Sequence, residues 1–294
     1  MRAMGLSGFE QGRYAIGDAS YFVAQGGDGP PVVLLHGFPE THLCWREIAT
    51  RLGHRHCVVV PDLRGYGETR APAGGLRGEG YSKREMAAEL VELMAACGHD
   101  RFAVVGHDRG ARVAFRLALD HPERVTRAAL LNIVPTVDQF ERMAAGPSLG
   151  YWPWFLLAKP APFPERIISA DPGEVLRHIF TTWSSRPERI SPESRDAYLA
   201  ALTPPTIAAM CADYRASFHL DRGHDADDRA NGRRVTAPVL VVTGEDEAQL
   251  ADARDVWRAW TEDLTAAQVP GGHFIPEEAA EQLAEVLGGF LGPA

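Results

Sequence analysis

Long apolar runs are missing from this 294-residue chain. No segment reaches the roughly 18 consecutive apolar residues that a membrane helix needs, so a membrane-spanning protein is not expected. Cysteine is scarce, with four in the whole chain. Cys44, Cys57, Cys97 and Cys211 are widely spaced and form no C-x-x-C pair, which argues against a disulfide framework and for free thiols in a reducing cytoplasm. Basic runs are absent as well. Thirty Lys and Arg stand against 39 Asp and Glu, a formal charge of −9. That balance makes nucleic acid or an anionic membrane a poor partner, and an anionic substrate has to be attracted locally by particular Arg residues. The opening MRAMGLSGFEQGRYAIG lacks the apolar stretch of a secretory signal, so the expected location is cytoplasmic. The His54-Arg55-His56 triplet lacks a nearby acidic or thiol ligand cluster and reads as a solvated loop rather than a metal site. Neither a metal nor an organic cofactor is implied.

What is present is a hydrophobic share of 45% and a charged share of 23%, enough for a sizeable core. Short apolar runs alternate with helical patterns, the signature of an α/β class with a mostly parallel sheet. Tyr14–Ala24 reads as an opening hairpin turning near Gly17-Asp18. Buried strands are expected at Val32–Leu35, Cys57–Val60, Phe102–Val105, Ala128–Ile133 and Val239–Val242. Ser82–Ala96 reads as an amphipathic helix, with Ser82 and Glu85 as a capping box and Gly98 as its stop. From Pro135 to Arg234 the alternation gives way to Pro, Trp, Tyr and short helical patterns. Residues 1–134 and 235–294 are therefore expected to form the core and 135–234 an inserted helical lid over the carboxyl ends of the strands, where ligands bind in such sheets. The Asp- and Arg-rich stretch His219–Arg234 reads as a solvated loop.

The chemistry concentrates at Gly106-His107-Asp108-Arg109-Gly110, a strand followed by G-x-D-x-G and a helix. In a nucleophile elbow, G-x-S-x-G, the small flanking residues permit a strained turn that exposes the central side chain. Here Asp108 stands in place of Ser. A carboxylate is already charged at neutral pH and needs no base to activate it. It can displace a leaving group from sp³ carbon or open an epoxide, giving an alkyl ester. Attack on an acyl carbon would give an anhydride, so ester hydrolysis is disfavoured. Around it, His36-Gly37-Phe38-Pro39 follows the first buried strand and Asp62-Leu63-Arg64-Gly65-Tyr66-Gly67 the next. Gly271-Gly272-His273-Phe274 lies near the C-terminus after a short strand. This order resembles that of the α/β-hydrolase fold. It assigns an oxyanion hole to the backbone N–H groups of Phe38 and Arg109 and makes His273 the base that activates water.

With HGFPETHLCW, DLRGYGET, GYSKREMAAEL, GHDRGARVAFRLALD, LAKPAPFPE, CADYRAS and GGHFIPEE taken together, the sequence from about Tyr14 to the C-terminus resembles the fluoroacetate (haloacetate) dehalogenases. HGFP and DLRGYG are shared with epoxide hydrolases. The resemblance implies Asp108 as nucleophile, His273 as base, Arg109 and Arg112 as partners of a substrate carboxylate, and Trp154 and Tyr214 as lid donors to a departing halide. It also points to a homodimer. A guanidinium fork suits a carboxylate, and both Arg lie in the first turn of the elbow helix, which favours anions.

Two positions depart from that pattern. The third halide donor of the relatives, a His, falls on Pro153, which has no donor; a preference for bromo- or chloroacetate over fluoroacetate is the expectation. The triad acid falls on Asn132, which can orient His273 but not stabilise its charge. The acid is expected to have migrated to the turn after the next strand, at Glu247, with Asp246 as second choice. The resulting reading is a hydrolytic dehalogenase of short 2-haloacids. Its rivals are an epoxide hydrolase using Tyr151, Tyr198 or Tyr214 as acids, and a catalytically weakened hydrolase that binds a small ligand.

Overall fold

In the computed structural model, which describes residues 5–145 and 149–292, the apolar runs pair into one eight-stranded sheet. The strands are β1 (Glu10–Ile16), β2 (Ala19–Gly26), β3 (Pro31–Leu35), β4 (Cys57–Pro61), β5 (Phe102–His107), β6 (Val125–Leu131), β7 (Val239–Gly244) and β8 (Leu264–Val269). Their order is β1-β2-β4-β3-β5-β6-β7-β8. The β1–β2 hairpin joins β4 antiparallel, and every pairing from β4 through β8 is parallel. β5 and β7 are buried along their whole length, as central strands covered on both faces must be.

Three α-helices precede β6: α1 (Arg46–Leu52), α2 (Lys83–Ala96) and α3 (Arg109–Asp120). Ser82 caps α2 through the reciprocal Ser82–Glu85 box, which satisfies two otherwise orphaned backbone donors. α3 packs on β5 and β6 with α2 beside it. Between β6 and β7 the chain forms α4 (Thr136–Ala145), α5 (Trp152–Leu156), α6 (Phe163–Ala170), α7 (Pro172–Trp183), α8 (Pro192–Ala201), α9 (Pro204–Ala216) and α10 (Arg222–Ala230). The core resumes with α11 (Ala253–Trp257), α12 (Ile275–Glu278) and α13 (Ala280–Leu291). Among the described residues no helix is long and apolar enough to cross a membrane.

Three expectations need correction. His219–Arg234 is not a solvated loop: a π-helical turn at Ser217–Asp221 leads directly into α10. Asp221, Asp225 and Asp228 face inward, where Asp225 Oδ1 accepts from Arg116 of α3 at 3.0 Å and Asp228 pairs with the same guanidinium, while Asp227 is exposed. Composition read these charges as solvated, but complementary charges between α10 and α3 allow their burial. His56, expected in a solvated loop, is 3% exposed although it does precede β4 in a turn. β6 also ends at Leu131, earlier than the expected Ile133, because Asn132 turns to φ 55°.

Candidate active site

Asp108 sits between β5 and α3 with φ 46° and ψ −112°, a conformation that L-residues rarely adopt. The two glycines of G-x-D-x-G have a steric reason. A Cβ on Gly106 would lie 2.4 Å from the Gly110 carbonyl oxygen, and a Cβ on Gly110 would lie 2.3 Å from that of Leu35. Only glycine lets strand, turn and helix approach so closely. The turn aims Asp108 into a cavity of about 280 Å³ that also meets Arg112, Trp154, Tyr214, Glu247 and His273.

Every functional candidate from the core follows a strand's carboxyl end: Phe38 after β3, Asp108 after β5, Asn132 after β6, Glu247 after β7 and His273 after β8. His273 lies between two carboxylates. Its Nε2 is 3.7 Å from Asp108 Oδ2 and its Nδ1 is 3.6 Å from Glu247 Oε2. Both are charge contacts slightly longer than direct hydrogen bonds. Burial disfavours the charged ring, but hydrogen-bonding attraction and charge from Asp108 and Glu247 outweigh it and raise the imidazole pKa to about 10. Burial likewise opposes the Asp108 anion, while His273, then Arg109 and His107, hold its carboxyl below the usual range.

Of the three positions weighed for the acid, the structure brings Glu247 to the His273 ring. Asp246 is exposed. Asn132 meets the base loop through the backbone instead. Its Nδ2 donates to the carbonyls of Gly272 (2.9 Å) and His273 (2.8 Å), and its Oδ1 accepts from Gly244 N at 2.9 Å. It ties β6, β7 and the His273 loop together without touching the imidazole.

The two arginines have different surroundings. Arg109 is fully buried and does not line the cavity. Its Nε and Nη2 grip both carboxylate oxygens of Asp213 in α9 at 3.1 and 2.6 Å, and Nη2 also donates to Ser217 Oγ at 2.6 Å. Its Nη1 has no protein partner among the described residues. Arg112 lines the cavity and donates through Nη1 to the Val134 carbonyl (2.9 Å) and Thr136 Oγ1 (3.2 Å). No carboxylate pairs with it among the described residues. Burial and the neighbouring Arg109 push its pKa down to about 10, so Arg112 is a desolvated cation lacking an anion.

Aromatic side chains enclose these cations. The Arg109 guanidinium lies 4.3 Å from the Tyr214 ring centre, and Arg112 lies 4.7 Å from that of Trp154. Trp154 meets Tyr214 edge-on at 5.4 Å, and Phe38 meets Tyr214 at 5.4 Å and Trp183 at 6.4 Å. Trp183 in turn stands 5.2 Å from His273. Phe38 itself is buried behind the cavity wall. Pro153 occupies the first turn of α5, where its missing N–H costs nothing, and it does not line the cavity. Sequence reasoning did not find Asp213, Glu40 or His107. The first lies inside the quoted CADYRAS and the others inside HGFPE and GHDRG, but the only signal was motif membership; their partners lie far away in the chain.

Residues 30–280 match the alpha/beta hydrolase fold family. The chain is 37% identical over 293 residues to a fluoroacetate dehalogenase of Burkholderia sp, covering 98% of this chain and 96% of that protein. It is 30% identical over 276 residues to a soluble epoxide hydrolase of Corynebacterium sp. (strain C12), covering 91% and 92% respectively. A crystal structure from Nostoc sp PCC 7120, described as that of an alpha/beta hydrolase, superimposes with a TM-score of 0.93 at 38% identity, covering 98% of this chain and 99% of that one.

Proposed function

The chain belongs to the alpha/beta hydrolase fold family, and on that basis we propose that it is a hydrolytic dehalogenase of short 2-haloacids working through an aspartyl ester. One observation carries this reading. Asp108, on its strained elbow and 3.7 Å from His273, shares a cavity with Arg112, a buried cation that has no carboxylate partner among the described residues. A nucleophile already ionised and a cation waiting for an anion suit a substrate with a carboxylate next to its reacting carbon. The 37% identity to a fluoroacetate dehalogenase supports the same choice.

The substrate carboxylate binds Arg112, the arginine that lines the cavity. An Asp108 oxygen attacks C2, forming the C–O ester bond while the C–halogen bond breaks and the halide leaves with the electron pair. Trp154, Tyr214 and Trp183 offer N–H and O–H groups to that developing charge. The high pKa of His273 keeps it protonated while two carboxylates flank it. Esterification removes the Asp108 charge that holds the proton on the ring, so the His273 pKa falls, the proton passes to solvent, and the neutral imidazole is available at the step that needs a base. His273, oriented by Glu247, then takes a proton from water, which attacks the ester carbonyl of Asp108. The backbone N–H groups of Phe38 and Arg109 receive the oxyanion. The intermediate collapses by breaking the bond between the acyl carbon and the ester oxygen, His273 returns its proton to the departing C2 oxygen, and Asp108 is regenerated as the 2-hydroxy acid leaves. Residues 135–234 act as the lid that excludes bulk water.

Epoxide opening is the second reading, because Tyr151 and Tyr214 both reach the cavity and a relative bears that name. One experiment tests both. His273→Ala is mixed with fluoro-, chloro- and bromoacetate and with a panel of small epoxides, and intact mass is followed. A persistent carboxymethyl adduct on Asp108 is the expected result. An adduct from epoxides alone would replace the haloacid reading, and steady turnover by this variant would remove His273 from its role.

A further inference from the structure

Glu40, His107 and the His273 loop form a buried chain apart from the cavity. His107 Nδ1 is 3.1 Å from Glu40 Oε2, and His107 Nε2 is 2.7 Å from the backbone carbonyl oxygen of His273. Glu40 and His107 are both fully buried, and neither lines the cavity. The hydrogen count is constrained. A carbonyl only accepts, so Nε2 carries a hydrogen and donates to His273. One further hydrogen must lie between Nδ1 and Glu40, on one or the other, since two bare acceptors would otherwise face each other where both side chains are fully buried.

The connectivity is equally specific. Glu40 ends the turn that begins at Gly37, with its N–H donating to the Gly37 carbonyl at 3.0 Å, so it belongs to the loop that carries Phe38. His107 immediately precedes Asp108. The His273 carbonyl receives both the His107 ring and Asn132 Nδ2, while the His273 N–H donates to the Trp183 carbonyl at 2.9 Å. The imidazole of His273 has no such direct bond; its ring contacts with carboxylates are 3.6 and 3.7 Å. Its backbone is held firmly and its ring loosely.

We infer that Glu40 and His107 are positioning residues: Glu40 holds the His107 ring so that it clamps the His273 backbone, locking the base loop to the oxyanion loop and the elbow. The clamp serves hydrolysis of the ester, which needs the His273 ring, and not its formation, which does not; in this it rests on the aspartyl-ester reading.

Glu40→Gln and Glu40→Leu separate this role from simple burial. A Gln amide can donate to Nδ1 while Nε2 still donates to His273, so the clamp survives; Leu cannot hold the ring. Rapid-quench mass spectrometry with bromoacetate should show ester hydrolysis slowed by about tenfold or more in Glu40→Leu, alkylation close to wild type, and Glu40→Gln close to wild type in both. Hydrogen–deuterium exchange across residues 272–274, read without substrate, should rise in Glu40→Leu and not in Glu40→Gln. If Glu40→Leu does not fold, His107→Leu carries the same comparison. Equal slowing of both steps, Gln and Leu behaving alike, or unchanged exchange at 272–274 would overturn the clamp. If no adduct forms in any variant or in His273→Ala while exchange follows the expected pattern, the ester reading fails and the clamp stands.

Discussion

At the scale of single residues, the site turns on which charges are paired. Asp108 is kept ionised by His273 and the nearby guanidinium, so replacing its carboxylate removes the proposed nucleophile and not the fold. Asn tolerates positive φ better than most residues, which makes Asp108→Asn a clean test. Turnover should vanish with the circular dichroism spectrum unchanged. A single turnover of the wild type in H₂¹⁸O should place label in Asp108; label found first in product would exclude the ester. Arg112 is the cation without a carboxylate, whereas Arg109 is already gripped by Asp213. Arg112→Ala should therefore weaken haloacid binding by about ten- to hundredfold, the loss of one charge-assisted hydrogen bond, seen mainly in KM. A variant with unaltered KM for bromoacetate would mean that the carboxylate binds elsewhere.

At the scale of elements, the proposed lid, residues 135–234, is fastened to the rest of the chain by ion pairs and contributes the aromatic wall. Lys83 of α2 and Arg109 of α3 both hold Asp213 of α9, and together they pull that carboxyl far below its ordinary range against the cost of burial. The same lid supplies Trp154, Trp183 and Tyr214, but Pro153 offers no donor. Fluoride is the poorest leaving group of the halides and depends most on preorganised donors; removing one such donor costs about two orders of magnitude where charge develops strongly. Halide release should therefore be faster from bromo- and chloroacetate than from fluoroacetate. Trp183→Phe should lower fluoride release further than bromide release. Equal rates from fluoro- and bromoacetate in the wild type would show that Pro153 costs the site nothing, and an equal loss with both halides would exclude Trp183 as a donor.

At the scale of the whole molecule, buried acids give stability a pH dependence of its own. Glu277 accepts from the Tyr198 hydroxyl. Burial, then the neighbouring Glu40 carboxylate, raise its pKa from 4.5 to about 8. The folded protein therefore keeps a proton that the unfolded chain has already lost, so this group weakens the fold as pH climbs from 4.5 to 8, after which the effect levels off. Glu277→Gln removes the ionisable group. Urea midpoints should show the variant gaining on the wild type between pH 5 and pH 9, by a few kcal/mol at most; parallel curves would mean that Glu277 ionises freely in the folded state.

The local chain by itself determined the parallel core, the capped α2 and the elbow, because strand periodicity, a Ser82–Glu85 box and two obligatory glycines act over a few residues. It also set which side chains could react: an Asp where a Ser would make an esterase, and a His after the last strand. Only the tertiary structure decided how they are joined. Glu247 and Asp246 are adjacent in sequence and similar in chemistry, but the turn after β7 brings only Glu247 to the His273 ring. Asn132 looks like a substituted acid and is a backbone staple. Arg109 and Arg112, three residues apart, part company because Asp213 lies a hundred residues further on, within the lid. Whether the acids of an Asp- and Arg-rich stretch such as 219–234 are solvated or buried depends on a complementary charge such as Arg116 waiting across the interface. Such a pairing lies between distant segments, and composition alone does not carry it.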